Sequence, residues 1–204
     1  MARNAQAYSV KDAIREEAES SLYAFISLVA PHRVLGDVHK ELINWWGRQD
    51  AKDHQLVLLP RDHQKSAMIA YRVAWEITRK PSVTILYISA TATLAEKQLY
   101  FIKNILTSKQ YQKYWPEMVV PDEGKREKWS ATEICVDHPI RKELGIRDST
   151  ITTAGLTKTI TGLHFDVAVM DDVVVRENAY KKEGRELVKS QYSLLASIET
   201  TGSR

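Results

Sequence analysis

The sequence predicts an α/β fold, a mainly parallel β-sheet flanked by helices, and three observations carry that reading. Ser82 to Ser89 (SVTILYIS) is β-branched and nearly continuous in its apolar core, the pattern of a strand buried on both faces of a parallel sheet. Val167 to Met170, inside FDVAVMDDVVV, is a second such apolar run. Around them lie stretches with helical apolar spacing, Ala67 to Arg79 and Leu94 to Leu106, suited to the crossover helices that parallel strands require. A chain of 204 residues suits one domain with a sizeable core.

Two polar stretches close apolar runs and carry the chemistry. Leu56 to Ala70 (LVLLPRDHQKSAMIA) has the outline of a strand, a polar turn and a helix start. In the P-loop pattern G-x-x-x-x-G-K-[ST], loop amides surround phosphates, the Lys reaches β/γ oxygens and the hydroxyl coordinates Mg²⁺. Alignment on Lys65-Ser66 puts Leu59 and Gln64 at the two glycine positions, so this loop must turn with side-chain-bearing residues. Taken alone, the stretch reads equally as a surface turn before a helix. The second stretch ends the Val167 to Met170 run in Asp171 and Asp172. This is the shape of a Walker B strand, whose first acid holds Mg²⁺ through water and whose second orients and deprotonates an attacking water. Together the two stretches point to hydrolysis of a nucleotide, with ATP and Mg²⁺ as the bound species.

On PRDHQKS, SATATLAEKQLYFIKNIL and LTKTITGLHFDVAVMDDVVV, the last with a T-G-x-x-x-D lead into the acids, the chain resembles the ATPase domain of large terminases. These are the DNA-packaging motors of tailed phages, here most similar to the short-tailed kind. The resemblance spans Val34 to Arg204 and implies a P-loop NTPase of RecA/ASCE-like type over residues 34–204, with residues 1–33 as an N-terminal helical segment. It implies a nucleotide site of Pro60, Arg61, Asp62, His63, Gln64, Lys65 and Ser66, with His39 where relatives carry an adenine-recognising Gln or His. Lys65, Arg61 and Asp172 would be catalytic, and Ser66 and Asp171 would hold the metal. It also implies double-stranded DNA, a portal protein and a small terminase subunit as partners, a homo-oligomeric ring, and the cytoplasm of an infected bacterial host. The family's Arg near the position of Leu163-His164 is missing, which leaves Lys158, Arg147 or Arg126 as substitutes. The coupling motif and nuclease domain expected after residue 204 are absent, which suggests a truncated domain.

Composition narrows the alternatives. The single Cys135 excludes an internal disulfide framework and a cysteine-rich zinc site, and reads as a buried thiol in a reducing compartment. No apolar run approaches a membrane span, and the N-terminus lacks a signal-peptide core, so a soluble intracellular protein without membrane contact is expected. A formal charge of +3 is mild, so DNA affinity would need a local basic surface or a further domain.

In chain order, Ser9 to Ala30 reads as one amphipathic helix ended by Pro31, and Asp37 as the cap of a helix with Val38, Leu42 and Trp45 on one face. Thr91 or Thr93 caps the helix after SVTILYIS, or else offers a hydroxyl to a nucleic-acid backbone. Ser108 to Ser130 reads as an irregular excursion in which Lys125, Arg126, Lys128 and Trp129 form a basic-aromatic cluster. Ala131 to Val136 and Ser149 to Thr153 read as an antiparallel insertion, and Gly162 as a bend before the second apolar strand. Beyond Asp172 a long charged helix follows, with Leu187, Tyr192, Leu194, Leu195 and Ile198 as its apolar face. Rival readings are a superfamily-2-like helicase or translocase fragment and a non-hydrolysing DNA-binding or scaffold module with a degenerate loop.

Overall fold

The computed structural model describes residues 9–48, 54–157 and 164–195. In order these form α1 (Val10–Ser20), α2 (Leu22–Val29), α3 (Asp37–Trp46), α4 (Lys65–Arg79), β1 (Ile85–Ser89), α5 (Ala92–Leu106), α6 (Lys109–Tyr114), a 3-10 turn (Glu123–Lys125), β2 (Glu133–Ile134), α7 (Ile140–Glu143), β3 (Ile151–Gly155), β4 (Val167–Met170), α8 (Arg176–Ala179) and α9 (Lys182–Leu195). The expected mixed α/β architecture is present, with a four-stranded sheet in the order β2-β3-β1-β4.

β1 is central and wholly buried, as its apolar run requires, and pairs in parallel with β3 and β4. Ile85 lies opposite both Ile151 and Val167, and Ile88 opposite both Ala154 and Met170. β2 pairs antiparallel with β3, as expected for Ala131 to Val136 and Ser149 to Thr153. β3, however, is not part of an insertion: it is β1's neighbour and belongs to the main sheet. At the start of β4, Thr84 N–H donates to Asp166 Oδ2 and Asp166 N–H to Thr84 Oγ1, each at 3.1 Å. Lys80 Nζ lies 3.2 Å from the same carboxylate. The Asp that ends the T-G-x-x-x-D lead therefore fastens β4 to β1 at the end opposite Asp171-Asp172.

Leu56 to Leu59, read as a strand from its apolar run, belongs to no strand. The segment alternates as a strand would: Val57 and Leu59 pack on the core, while Leu56 and Leu58 are 79% and 81% exposed. Among the described residues it has no ladder partner, and β4 is the sheet's edge on that side. An apolar alternation marks a strand only where a neighbouring backbone completes the hydrogen bonds.

Helix boundaries also differ where a local hydrogen bond overrides periodicity. Ser9 to Ala30 forms two helices, because Ser21 is extended (φ −134°, ψ 116°) and its hydroxyl accepts from Ala24 N–H as the cap of α2. Asp37 is the first residue of α3 rather than its cap; Gly36 takes the cap position. The buried face of α3 is His39, Leu42, Ile43 and Trp46, one position on from the expected one, and Trp45 is left 37% exposed. The charged stretch after Asp172 breaks into α8 and α9. A side chain at Gly184 would come within 2.6 Å of the Asn178 backbone, so the close turn between them needs glycine. Gly162 and Ile198 lie outside the described residues.

The segment expected to be irregular supplies much of the core. Tyr111, Trp115, Met118 and Val119 are essentially fully buried. Phe25 of α2 packs on Tyr111 and Trp115 with ring centroids 6.3 and 5.6 Å apart. α1 joins the same core through the Trp75 indole N–H, which donates to the Ala18 carbonyl at 2.9 Å. Periodicity missed this segment because a short helix of aromatics carries no repeat long enough to register. Truncating Phe25 to Ala should cost about 3–5 kcal/mol by urea unfolding, with Phe25→Leu costing clearly less.

Candidate functional site

Lys65 opens α4, and Asp171 and Asp172 follow the last residue of β4. The fold brings them together: Lys65 Nζ is 3.1 Å from Asp171 Oδ1 and 2.6 Å from Asp172 Oδ1. The Asp171 side chain is 3% exposed, that of Lys65 23% and that of Asp172 64%, so the cluster runs from the interior to the surface. Burial pulls the Lys65 ammonium down, but the hydrogen bond to Asp172 and the charge of Asp171 outweigh it and hold it above the ordinary lysine value.

Asp171 is anchored on two sides. Its backbone N–H donates to the Ile88 carbonyl at 2.9 Å, continuing the parallel ladder one residue past β4. Its Oδ2 accepts from the Tyr87 hydroxyl at 3.0 Å. Oδ1 is buried and receives no hydrogen bond, although the Lys65 ammonium is close to it. A buried carboxylate oxygen in that condition calls for a cation, and here the Lys65 ammonium supplies it.

The loop from Pro60 to Ser66 reaches α4 through two left-handed residues that are not glycine, Asp62 at φ 65° and Gln64 at φ 49°. Gln64 stands where the P-loop pattern has its second glycine, and it makes that turn with a side chain attached. The strain costs about 1–2 kcal/mol per residue and persists only where surroundings enforce it. Here they do. Arg33 Nη1 donates to Gln64 Oε1, and the same guanidinium lies 5.1 Å above the Tyr71 ring. His39 Nδ1 accepts from Gly36 N–H at 3.1 Å, which leaves Nε2 protonated to donate to the His63 carbonyl, also at 3.1 Å. His63 Nδ1 in turn donates to the Arg61 carbonyl at 2.9 Å.

The other expected site residues are placed as follows. Pro60, Arg61 and Asp62 are exposed, and Ser66 is half-buried at the second position of α4. His39 is 8% exposed and uses both ring nitrogens on backbone groups, so it acts as a clip on the loop. Thr91 is the cap of α5, its hydroxyl accepting from Leu94 N–H at 3.3 Å. Arg126 is spent on structure, its guanidinium 4.5 Å from the Trp129 ring and Nε donating to the Val120 carbonyl. Arg147 and His164 are exposed, while Lys158 and Leu163 lie outside the described residues. Sequence reasoning missed Arg33 and Tyr87. A tyrosine in a fully buried strand was the available signal, since its hydroxyl must find a partner.

Beside the cluster, a cleft of about 210 Å³ runs along the outer edge of β4, lined by Leu56, Val57, Lys65, Ile69, Val167 and Asp171 among others. Among the described residues no group of three or more His, Cys, Asp or Glu is placed to hold a metal alone, so a cation here would need further ligands. No helix among them is long and apolar enough to cross a membrane.

No protein-family model matches the chain. A curated protein does: it is 25% identical over 164 residues, which cover 73% of this chain and 26% of the relative, the terminase large subunit of Enterobacteria phage T3. The chain is thus similar to part of a terminase large subunit. It spans about a quarter of that relative's length.

Removing the ammonium leaves Asp171 uncompensated, so Lys65→Met should destabilise the protein by on the order of 3 kcal/mol, and adding Asp171→Asn should recover most of the loss. The folded Lys65 value lies above the unfolded one, so its stabilisation is complete below the ordinary lysine value and fades as pH rises through the folded value. Urea midpoints across that alkaline range should fall for the wild type and stay flatter for Lys65→Met.

Proposed function

We propose that the terminase-like chain is a P-loop ATPase domain that powers translocation of double-stranded viral DNA into a procapsid. The observation that carries the reading is the meeting of the first ammonium of α4 with two acids at the carboxyl end of β4, far apart in sequence. The carboxyl ends of parallel strands are where α/β folds place their ligands. Likeness to the phage T3 terminase large subunit supports the DNA-packaging part.

In this reading the helix N-terminus and the amides of the 60–66 loop receive the phosphates of ATP. Lys65 exchanges its acidic partners for β/γ oxygens, and Arg61, exposed at the start of the loop, is free to turn toward the γ-phosphate. Asp171 Oδ1, buried beside the ammonium, and the Ser66 hydroxyl on the first turn of α4 would hold Mg²⁺, which when bound neutralises charge on the phosphate oxygens. Asp172, exposed and released by Lys65, orients a water and accepts its proton. The water oxygen bonds to the γ-phosphorus as the bridge to the β-phosphate breaks, giving ADP and phosphate. Double-stranded DNA, a portal protein, a small terminase subunit, a ring of copies and the host cytoplasm belong to the same proposal.

Phosphate release and ATP binding test it in wild type, Lys65→Ala and Asp172→Asn. Lys65→Ala should weaken binding. Asp172→Asn should keep binding and lose turnover by about 10²–10⁴-fold, the usual worth of a general base. An unchanged pair of variants would exclude the ATPase reading in favour of a non-hydrolysing module.

A further inference from the structure

The proposed chemistry leaves one buried polar group beside the site unused, the hydroxyl of Tyr87. Tyr87 is the middle residue of β1, paired with Thr153 on β3 and Val169 on β4, and has no exposed surface. Its ring can move little, since it is held by ladders on both sides and packed in the main core. Its O–H donates to Asp171 Oδ2 at 3.0 Å. The two oxygens of Asp171 are thus made unequal: Oδ2 is occupied from inside the sheet, and Oδ1 is buried without a hydrogen bond beside Lys65.

We propose that Tyr87 is a positioning residue for the divalent cation, holding Asp171 through Oδ2 so that Oδ1 alone is presented to the metal. The proposal rests on the ATPase reading and adds a residue to it. A merely structural hydroxyl would satisfy a buried acid and nothing more; a positioning hydroxyl fixes the rotation of the carboxylate and so sets metal affinity. Partners that orient a metal ligand in this way are typically worth about 10–100-fold in metal affinity or activity.

Tyr87→Phe removes the oxygen and keeps the ring. The matched control is Tyr111→Phe, because Tyr111 is an equally buried phenol, bonded at 2.9 Å to Thr78 and on a different part of the fold. Mn²⁺ binding in the presence of ADP, read by electron paramagnetic resonance, and ADP binding without metal are measured for both variants and the wild type. The expected result is Mn²⁺ affinity reduced about 10–100-fold in Tyr87→Phe only, with metal-free ADP binding unchanged. Tyr87→4-aminophenylalanine, which keeps the shape and returns a donor, should recover part of the loss and serves as the reporter should Tyr87→Phe not fold. Wild-type Mn²⁺ affinity in folded Tyr87→Phe, or no recovery with the amino analogue, would overturn the proposal while leaving the ATPase reading intact. A wild type that binds no Mn²⁺ with ADP would overturn both.

Discussion

The structure depends on one buried carboxylate. A charge as enclosed as that of Asp171 is costly to bury unless it is hydrogen-bonded and paired. The fold meets that requirement from two directions, the core through the Tyr87 hydroxyl and α4 through the Lys65 ammonium, while the bond from the Asp171 backbone N–H to the Ile88 carbonyl holds the residue in line with the sheet. Satisfying the acid also fixes where α4 starts relative to the end of β4. The chemistry proposed for the site therefore uses the same contacts that hold the sheet and helix in register.

The loop before α4 illustrates how far local rules can be bent when neighbours enforce the result. Two residues with side chains adopt a left-handed backbone where glycine would be easiest. Two of the clamps on the loop come from outside it, Arg33 from the turn after α2 onto Gln64 and His39 from α3 onto the His63 carbonyl. The helices that precede the loop are for this reason part of the site's construction. Their aromatic and aliphatic faces lie in the same core as α4 and β1.

Much of the sheet and the site was legible in the chain. SVTILYIS became the wholly buried central strand because its apolar content leaves it no other place than the interior, the run before Asp171 became the half-buried strand beside it, and Lys65 met the acids as the motif order implies. Legibility failed where a single contact outvotes a pattern. Ser21 splits a helix by capping the next one, and Gly36 displaces Asp37 because its N–H is claimed by His39. Leu56 to Leu59 has the composition of a strand, but strand formation is a property of two backbones, and one sequence segment shows only one of them. The inner partner of Asp171 was only half legible for a related reason: a tyrosine in a buried strand announces that its hydroxyl needs a partner, but nothing in the spacing of Tyr87 and Asp171 says which one.

Asp172 is itself left-handed, at φ 50°. Among residues with side chains, Asp and Asn enter that conformation several-fold more readily than the average. The identity of the outer acid is therefore restricted by chain geometry as well as by chemistry. Glutamate would extend further toward a reacting water but would fit the reversed backbone less well, so a shorter acid at the bend is the compromise that the turn after β4 selects.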